Sequence, residues 1–215
     1  MIVDCISDLH GYEPVLQGGD LLIIAGDMTA SNEIVQWVDF FNWLRAQEYE
    51  KKIIIGGNHD GFLEQCASTQ EVELMDLEWG DECTYLRDDG CEFGGLKIWG
   101  SPWTAWFYGI NPHCKSFTKT GDQNLKPKWD LIPDDTDILV THSPPAGIMD
   151  VTKAGINVGS ASLRVKVQKI RPKLHVFGHI HEQYGQESLN ETLFVNASFV
   201  DGDYEAVNDP VRVIL

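Results

Sequence analysis

Aspartate, asparagine and histidine recur in this chain in short blocks, each closing or following an apolar run. Asp8-Leu9-His10 follows Ile2 to Ile6, Gly26-Asp27 follows Leu21 to Ala25, and Gly57-Asn58-His59-Asp60 follows Ile53 to Ile55. Thr141-His142 ends the run that starts at Ile138, and Gly178-His179-Ile180-His181 follows Leu174 to Phe177. Asp8, His10, Asp27, Asn58, His142, His179 and His181 make a mixed oxygen and imidazole donor set. Such a set suits Mn, Fe, Zn, Co or Ni better than an all-oxygen Ca or Mg cage. It exceeds what one ion takes. Two divalent ions sharing a bridging carboxylate would use it, and such a pair activates water for in-line displacement at phosphorus. Asp27, the central carboxylate in the order, is the natural bridge. The pairs Asp8/His10 and His179/His181 are spaced i, i+2, so that in an extended segment both side chains point the same way.

These residues can converge only if their runs are neighbouring strands. β-branched and leucine-rich runs that stop at a polar or glycine cluster read as buried strands, and in layered α/β folds the strand carboxyl ends open on a common crevice. Between the second and third runs, Ile34, Trp37, Val38, Phe41 and Leu44 recur at helical spacing within Ser31 to Gln47, with Thr29 or Ser31 available as the N-cap. Ser160 to Ile170 reads as a second amphipathic helix closed by Arg171-Pro172. Thr84 to Arg87 and Cys91 to Trp99 read as a hairpin around Asp88-Asp89-Gly90, and Thr192 to Ala197 and Val211 to Ile214 as further strands. Residues 103–135 show no periodicity and read as a long irregular excursion. Glycines 26, 57 and 178 would let the backbone turn tightly beside the site.

The chain has 215 residues, is 43% hydrophobic and carries a formal charge of −17. That length and apolar content fit one domain over residues 1–215, and the acidity, without a basic run, argues against long nucleic acids as partners. No stretch approaches a membrane span or a secretory signal, and five cysteines without CxxC pairing suggest reduced thiols in the cytoplasm. The Asn190-Glu191-Thr192 and Asn196-Ala197-Ser198 sequons carry no meaning without secretion. His175, in mid-strand, reads as a packing histidine and Cys5 as a small core residue.

The series Asp8-x-His10, Gly26-Asp27, Gly57-Asn58-His59-Asp60, Thr141-His142 and Gly178-His179-x-His181 resembles the signature of calcineurin-like metallophosphoesterases, with every block present and in order. Gly100-Ser101-Pro102-Trp103, Thr141 to Pro145 and Arg171 to Glu182 resemble the branch of metallophosphoesterase-domain-containing proteins, related to class III cyclic nucleotide phosphodiesterases. The resemblance implies a four-layer αββα sandwich of two mixed sheets flanked by helices, with a dinuclear metal site at strand carboxyl ends. It assigns one metal to Asp8, His10, Asp27 and His181, and the other to Asp27, Asn58, His142 and His179. His59 then contacts a phosphate oxygen or protonates the leaving group, with Asp60 orienting its ring. The substrate implied is a small phosphoester, a 2′,3′ or 3′,5′ cyclic nucleotide, attacked in line by a metal-bridging hydroxide. A phosphomonoesterase acting on nucleotides or phosphoproteins and a weakly active nucleotide-binding scaffold are the alternatives. Asn58, His59 and Trp103 are candidate substrate contacts, the last as one of an aromatic group, Trp99, Trp103, Trp106, Phe107 and Tyr108, on which a base could stack. Residues 61–83 and 104–135, where the resemblance is weakest, are the expected substrate-determining loops.

Overall fold

The computed structural model describes residues 1–66, 82–106 and 113–215. Phe107 and Tyr108 of the aromatic group lie outside them. Two mixed sheets stack face to face. The first has the order β13 (Val211–Ile214), β1 (Ile2–Ile6), β2 (Gly19–Ala25), β3 (Tyr49–Ile55) and β4 (Cys83–Tyr85). The second runs β11 (Gly185–Leu189), β12 (Thr192–Asn196), β10 (Leu174–Phe177), β9 (Ile138–Thr141), β6 (Leu96–Ser101) and β5 (Asp89–Phe93). β1 through β4 are parallel, as are β12, β10, β9 and β6, while β13, β11 and β5 add antiparallel edges.

The central strands are continuously apolar because both of their faces are covered. Val3, Cys5, Leu21, Ile23, Ile53 and Ile55 share the inter-sheet core with Ile98, Ile138, Val140, Leu174, Val176 and Val195. The alternate residues Leu22, Ile24 and Ile54 belong with Trp37, Phe41 and Leu44 of α1 (Ile34–Arg45) to an outer core. That core also takes in Leu139 and Phe177 with Leu125 and Trp129 of α3 (Asp122–Trp129) and Leu163 and Val167 of α4 (Ala161–Ile170). A short helix, α2 (Gly61–Cys66), follows the third ligand block. The result is the expected αββα layering. All five blocks emerge at one edge, where a bridge between Ser7 and Ser198 joins the two sheets.

Three local expectations change. The hairpin around Asp88-Asp89-Gly90 does not form: β4 pairs with β3 in the first sheet and β5 with β6 in the second, so residues 86–88 cross between layers. The turn that does form is Gly94-Gly95, with φ of +58° and +78° between paired Phe93 and Leu96, as a two-residue hairpin with both central residues at positive φ requires. α1 holds the whole apolar pattern but is shorter than Ser31 to Gln47: it starts after Glu33, with no side-chain cap, since Thr29 is buried against Asp60 and Ser31 bonds Gln36. The excursion over 103–135 contains α3, hidden from the sequence by Pro127 and a hydrophilic composition, and the strand pair β7 (Thr104–Ala105) and β8 (Thr118–Lys119).

Candidate metal-dependent active site

The backbone supports the site at some energetic cost. Asp8, His10, Asp27 and His179 all have positive φ, between +44° and +69°, a conformation that ordinary side chains avoid and that concentrates at functional sites. Gly57 and Gly178 serve by their lack of a side chain rather than by an unusual φ. A Cβ on Gly57 would come within 2.2 Å of Asp27 Oδ1, and one on Gly178 within 2.0 Å of Asp8 Oδ2. The backbones there must make room for the two carboxylates.

Both carboxylates are buried, and imidazoles gather round them. Asp27 Oδ2 lies 3.3 Å from His142 Nε2, 3.9 Å from His10 Nε2 and 4.0 Å from His59 Nε2. Asp8 Oδ1 lies 3.3 Å from His181 Nε2, and its carboxylate also accepts hydrogen bonds from His179 N and Ser198 Oγ. Three rings are oriented in one way. The Nδ1 atoms of His59, His142 and His181 face the carbonyl oxygens of Ala30, Ala25 and Asp201 at 2.8, 2.9 and 3.0 Å. An Nδ1–H donated to each carbonyl turns Nε2 inward toward the carboxylates, the orientation that metal-binding imidazoles adopt. Asn58 Oδ1 is 3.1 Å from His142 Nε2.

The donors fall into three overlapping groups: Asp8, His10 and His181; Asp27, His142 and His179; and His10, Asp27 and His59. His10 Nε2 and His181 Nε2 face each other at 3.4 Å. Burial pulls the His10 pKa down to about 4 and that of His179 to about 3, so both offer lone pairs at neutral pH. Burial also opposes a charge on His142, but Asp27 outweighs it and raises the pKa to about 9; Asp27 itself is held well below the usual carboxylate range. Facing lone pairs beside buried carboxylates are what a divalent cation satisfies, and the residues present fit one.

Asp60 does not orient the His59 ring. Its carboxylate accepts from the backbone amides of Asp27 and Gly57, each at 2.8 Å, and from those of Met28 and Thr29, so it clamps the loop that carries Asp27. Carboxylates take N–H donors readily, and four converge here, while His59 Nδ1 faces the Ala30 carbonyl and Cys114 Sγ. Trp103 is likewise elsewhere. Its indole Nε1 donates to Asp88, Lys128 and Lys119 sit over its ring, and it lines no part of the cleft at the histidines. His175 packs against Phe177 and Phe194 with Nε2 on Thr141 Oγ1, while its buried Nδ1 has no hydrogen-bond partner among the described residues.

The cleft has a volume of about 550 Å³. Among the described residues its walls are not the loops expected from sequence. Beside Asp27, Asn58, His59, His179 and His181 it is bordered by Thr152 to Asn157 and by Gly202 and Tyr204. Periodicity does not reveal them, since both are loops. One sequence signal lies nearby: the sequon Asn196-Ala197-Ser198 is a buried polar step in which Ser198 Oγ also bonds Asn196 Oδ1 while Asn196 Nδ2 donates to the Ile180 carbonyl.

This fold, with a carboxylate and histidine cluster at the joined edge of two sheets, is that of a metallophosphoesterase. The chain belongs to the calcineurin-like phosphoesterase family, whose sequence profile matches residues 1–183. It is 38% identical over 232 residues to Metallophosphoesterase domain-containing protein 1 of Homo sapiens, a match covering 98% of this chain and 70% of that protein. It is 36% identical over 225 residues to a UPF0046 protein of Caenorhabditis elegans, covering 96% and 78%. TT1561 of Thermus thermophilus superimposes with a TM-score of 0.58 at 16% identity, over 91% of this chain and 88% of that one, a likeness of fold. Membership supports phosphoester hydrolysis assisted by divalent metal. No helix among the described residues is long and apolar enough to cross a membrane.

Proposed function

We propose that this single-domain protein is a dinuclear phosphodiesterase acting on a small phosphodiester, a cyclic nucleotide among the candidates. The observation that carries the reading is the position of Asp27, whose one carboxylate oxygen has imidazole nitrogens of His142, His10 and His59 at 3.3 to 4.0 Å. Asp8, His10, Asp27 and His181 would hold one ion, and Asp27, Asn58, His142 and His179 the other. Bound divalent ions, Mn first among them, would supply Lewis acidity toward a phosphoryl oxygen and toward water.

The protein's own groups do the rest. Asp60 fixes the backbone of Asp27, and His59 N donates to Asp27 Oδ1 at 2.8 Å, so bridge and imidazole form one rigid unit. The Ala30 carbonyl holds His59 Nδ1, which aims Nε2 into the cleft, where it can give a proton to the departing alkoxide as charge builds on that oxygen. The five cysteines are free thiols, which supports a reducing, cytoplasmic setting.

Metal analysis and a substrate panel on the Mn-reconstituted protein test this. The expected result is two equivalents of metal, with cyclic nucleotides and bis(4-nitrophenyl) phosphate turned over ahead of 4-nitrophenyl phosphate. Uptake of no more than one equivalent removes the dinuclear reading, and turnover of monoesters alone removes the diesterase. H59A should keep both metals and lose roughly a hundredfold in kcat on esters with alkoxide leaving groups, with less loss for 4-nitrophenoxide, which departs without a proton. Full turnover by H59A on alkoxide esters would remove the acid role.

A further inference from the structure

Two loops that supply no proposed metal ligand border the cleft. The first is a small built hairpin. Asp150, itself buried, accepts from Asn157 Nδ2 at 2.6 Å and from Gly159 N at 3.0 Å, and Thr152 N donates to the Ile156 carbonyl at 3.0 Å. This bracing leaves Ile156 at the cleft with 59% of its surface exposed. The second loop is wound on Asp201, whose carboxylate accepts from the amides of Asp203 and Glu205 at 2.9 and 3.0 Å. Its carbonyl also takes Tyr204 N and faces His181 Nδ1, each at 3.0 Å. The winding forces Tyr204 to φ +65°, a costly conformation for a bulky side chain. Its ring is thereby set edge-on to His10 and His181, with centroids 4.9 and 5.2 Å apart, while 40% of the residue stays exposed at the cleft. Lys153 Nζ to Asp203 Oδ1, at 3.1 Å, ties the two loops together.

We propose that Tyr204, with Ile156 on the other loop, forms the subsite for the organic group of the substrate, and that it selects phosphoesters whose group is flat and uncharged. The inference rests on the phosphoesterase reading for where phosphorus sits, and it adds which side chains read the remainder of the molecule. An aromatic ring and an exposed aliphatic chain beside a polar donor cluster match a ligand with one anionic end and one apolar face. Tyr204 touches the rings of His10 and His181 edge-on but is itself no proposed metal ligand, so its role is that of a specificity-determining residue facing the organic group of the substrate.

Calorimetric binding of phenylphosphonate and methylphosphonate to the Mn-loaded protein tests this without turnover, since neither is hydrolysed. The wild type should prefer the phenyl compound by about three- to tenfold, from the usual strength of an aromatic contact. Y204A should lose that preference while its affinity for methylphosphonate and its metal content stay unchanged. Y204F should retain the preference, and I156S should weaken it in part. An equal loss for both phosphonates in Y204A would mean that the ring only props the histidines, and would overturn the subsite. So would an unchanged preference in both Y204A and I156S, or no phenyl preference in the wild type. If the phosphonate pattern appears but the wild type hydrolyses no ester, the phosphoesterase reading fails while the subsite stands; if esters turn over and the pattern is absent, the reverse holds.

Discussion

Asp60 shows how one side chain can belong to a functional motif without touching the reacting groups. It is buried and pinned by amides of Gly57, Asp27, Met28 and Thr29; burial and the nearby Asp27 charge push its pKa up to about 8 against those donors. Asp60→Asn would point an amide N–H₂ at N–H donors that need an acceptor. The expected loss is about 3 kcal/mol of unfolding free energy, the cost of leaving buried donors unpaired, read from urea denaturation, together with weaker metal uptake at the Asp27 side. If Asp60 instead oriented His59, D60N would lower kcat with metal content and stability intact. The adjacent histidine is legible from sequence as a site residue because its block stands in order with four others that close or follow apolar runs. The partner of its ring is not, since Ala30 acts through a backbone carbonyl that any residue possesses.

Among the elements, strands are more legible in the sequence than turns. The runs at Ile2, Leu21, Ile53, Ile138 and Leu174 are strands because two covered faces demand an unbroken apolar stretch. Asp88-Asp89-Gly90 misleads because Asp-Gly is a turn signal only when the flanking strands belong to one sheet, and here they belong to two. The real turn makes a sharp test. A Cβ on Gly95 would meet nothing within 4 Å, so only its φ of +78° resists substitution. Gly95→Val should cost about 1–2 kcal/mol by thermal denaturation, from backbone strain alone, while Gly94→Asn, which tolerates that region, should be near neutral. Neither change should alter phosphoester turnover, since the hairpin lies on the edge strand β5 and borders no part of the cleft.

Across the whole molecule, the candidate ligands staple two sheets. Asp8, His10, Asp27 and Asn58 follow strands of the first, and His142, His179 and His181 follow strands of the second. Without a cation, buried Asp8 and Asp27 rely on hydrogen bonds and neighbouring imidazoles across that seam. Chelation should therefore lower Tm, because it removes unfolding free energy set by metal concentration over Kd, about 2.7 kcal/mol at a hundredfold excess. Restoring Mn should restore it, measured by differential scanning calorimetry. A Tm indifferent to chelator would show that the seam is closed by the protein alone.

The central strands, the order of the ligand blocks and the chemistry of the donor set are written in the sequence, because apolar runs and residue types are local properties. Folding in three dimensions was needed to assign Asp60 to the backbone of Asp27, Trp103 to Asp88 and two lysines, and the loops around Ile156 and Tyr204 to the border of the cleft. Those are contacts between segments far apart in the chain, fixed by how two sheets meet. The charge of −17 says nothing of where a phosphoester would be attracted; a cation at the seam, held by carboxylates drawn from that same count, would decide it locally.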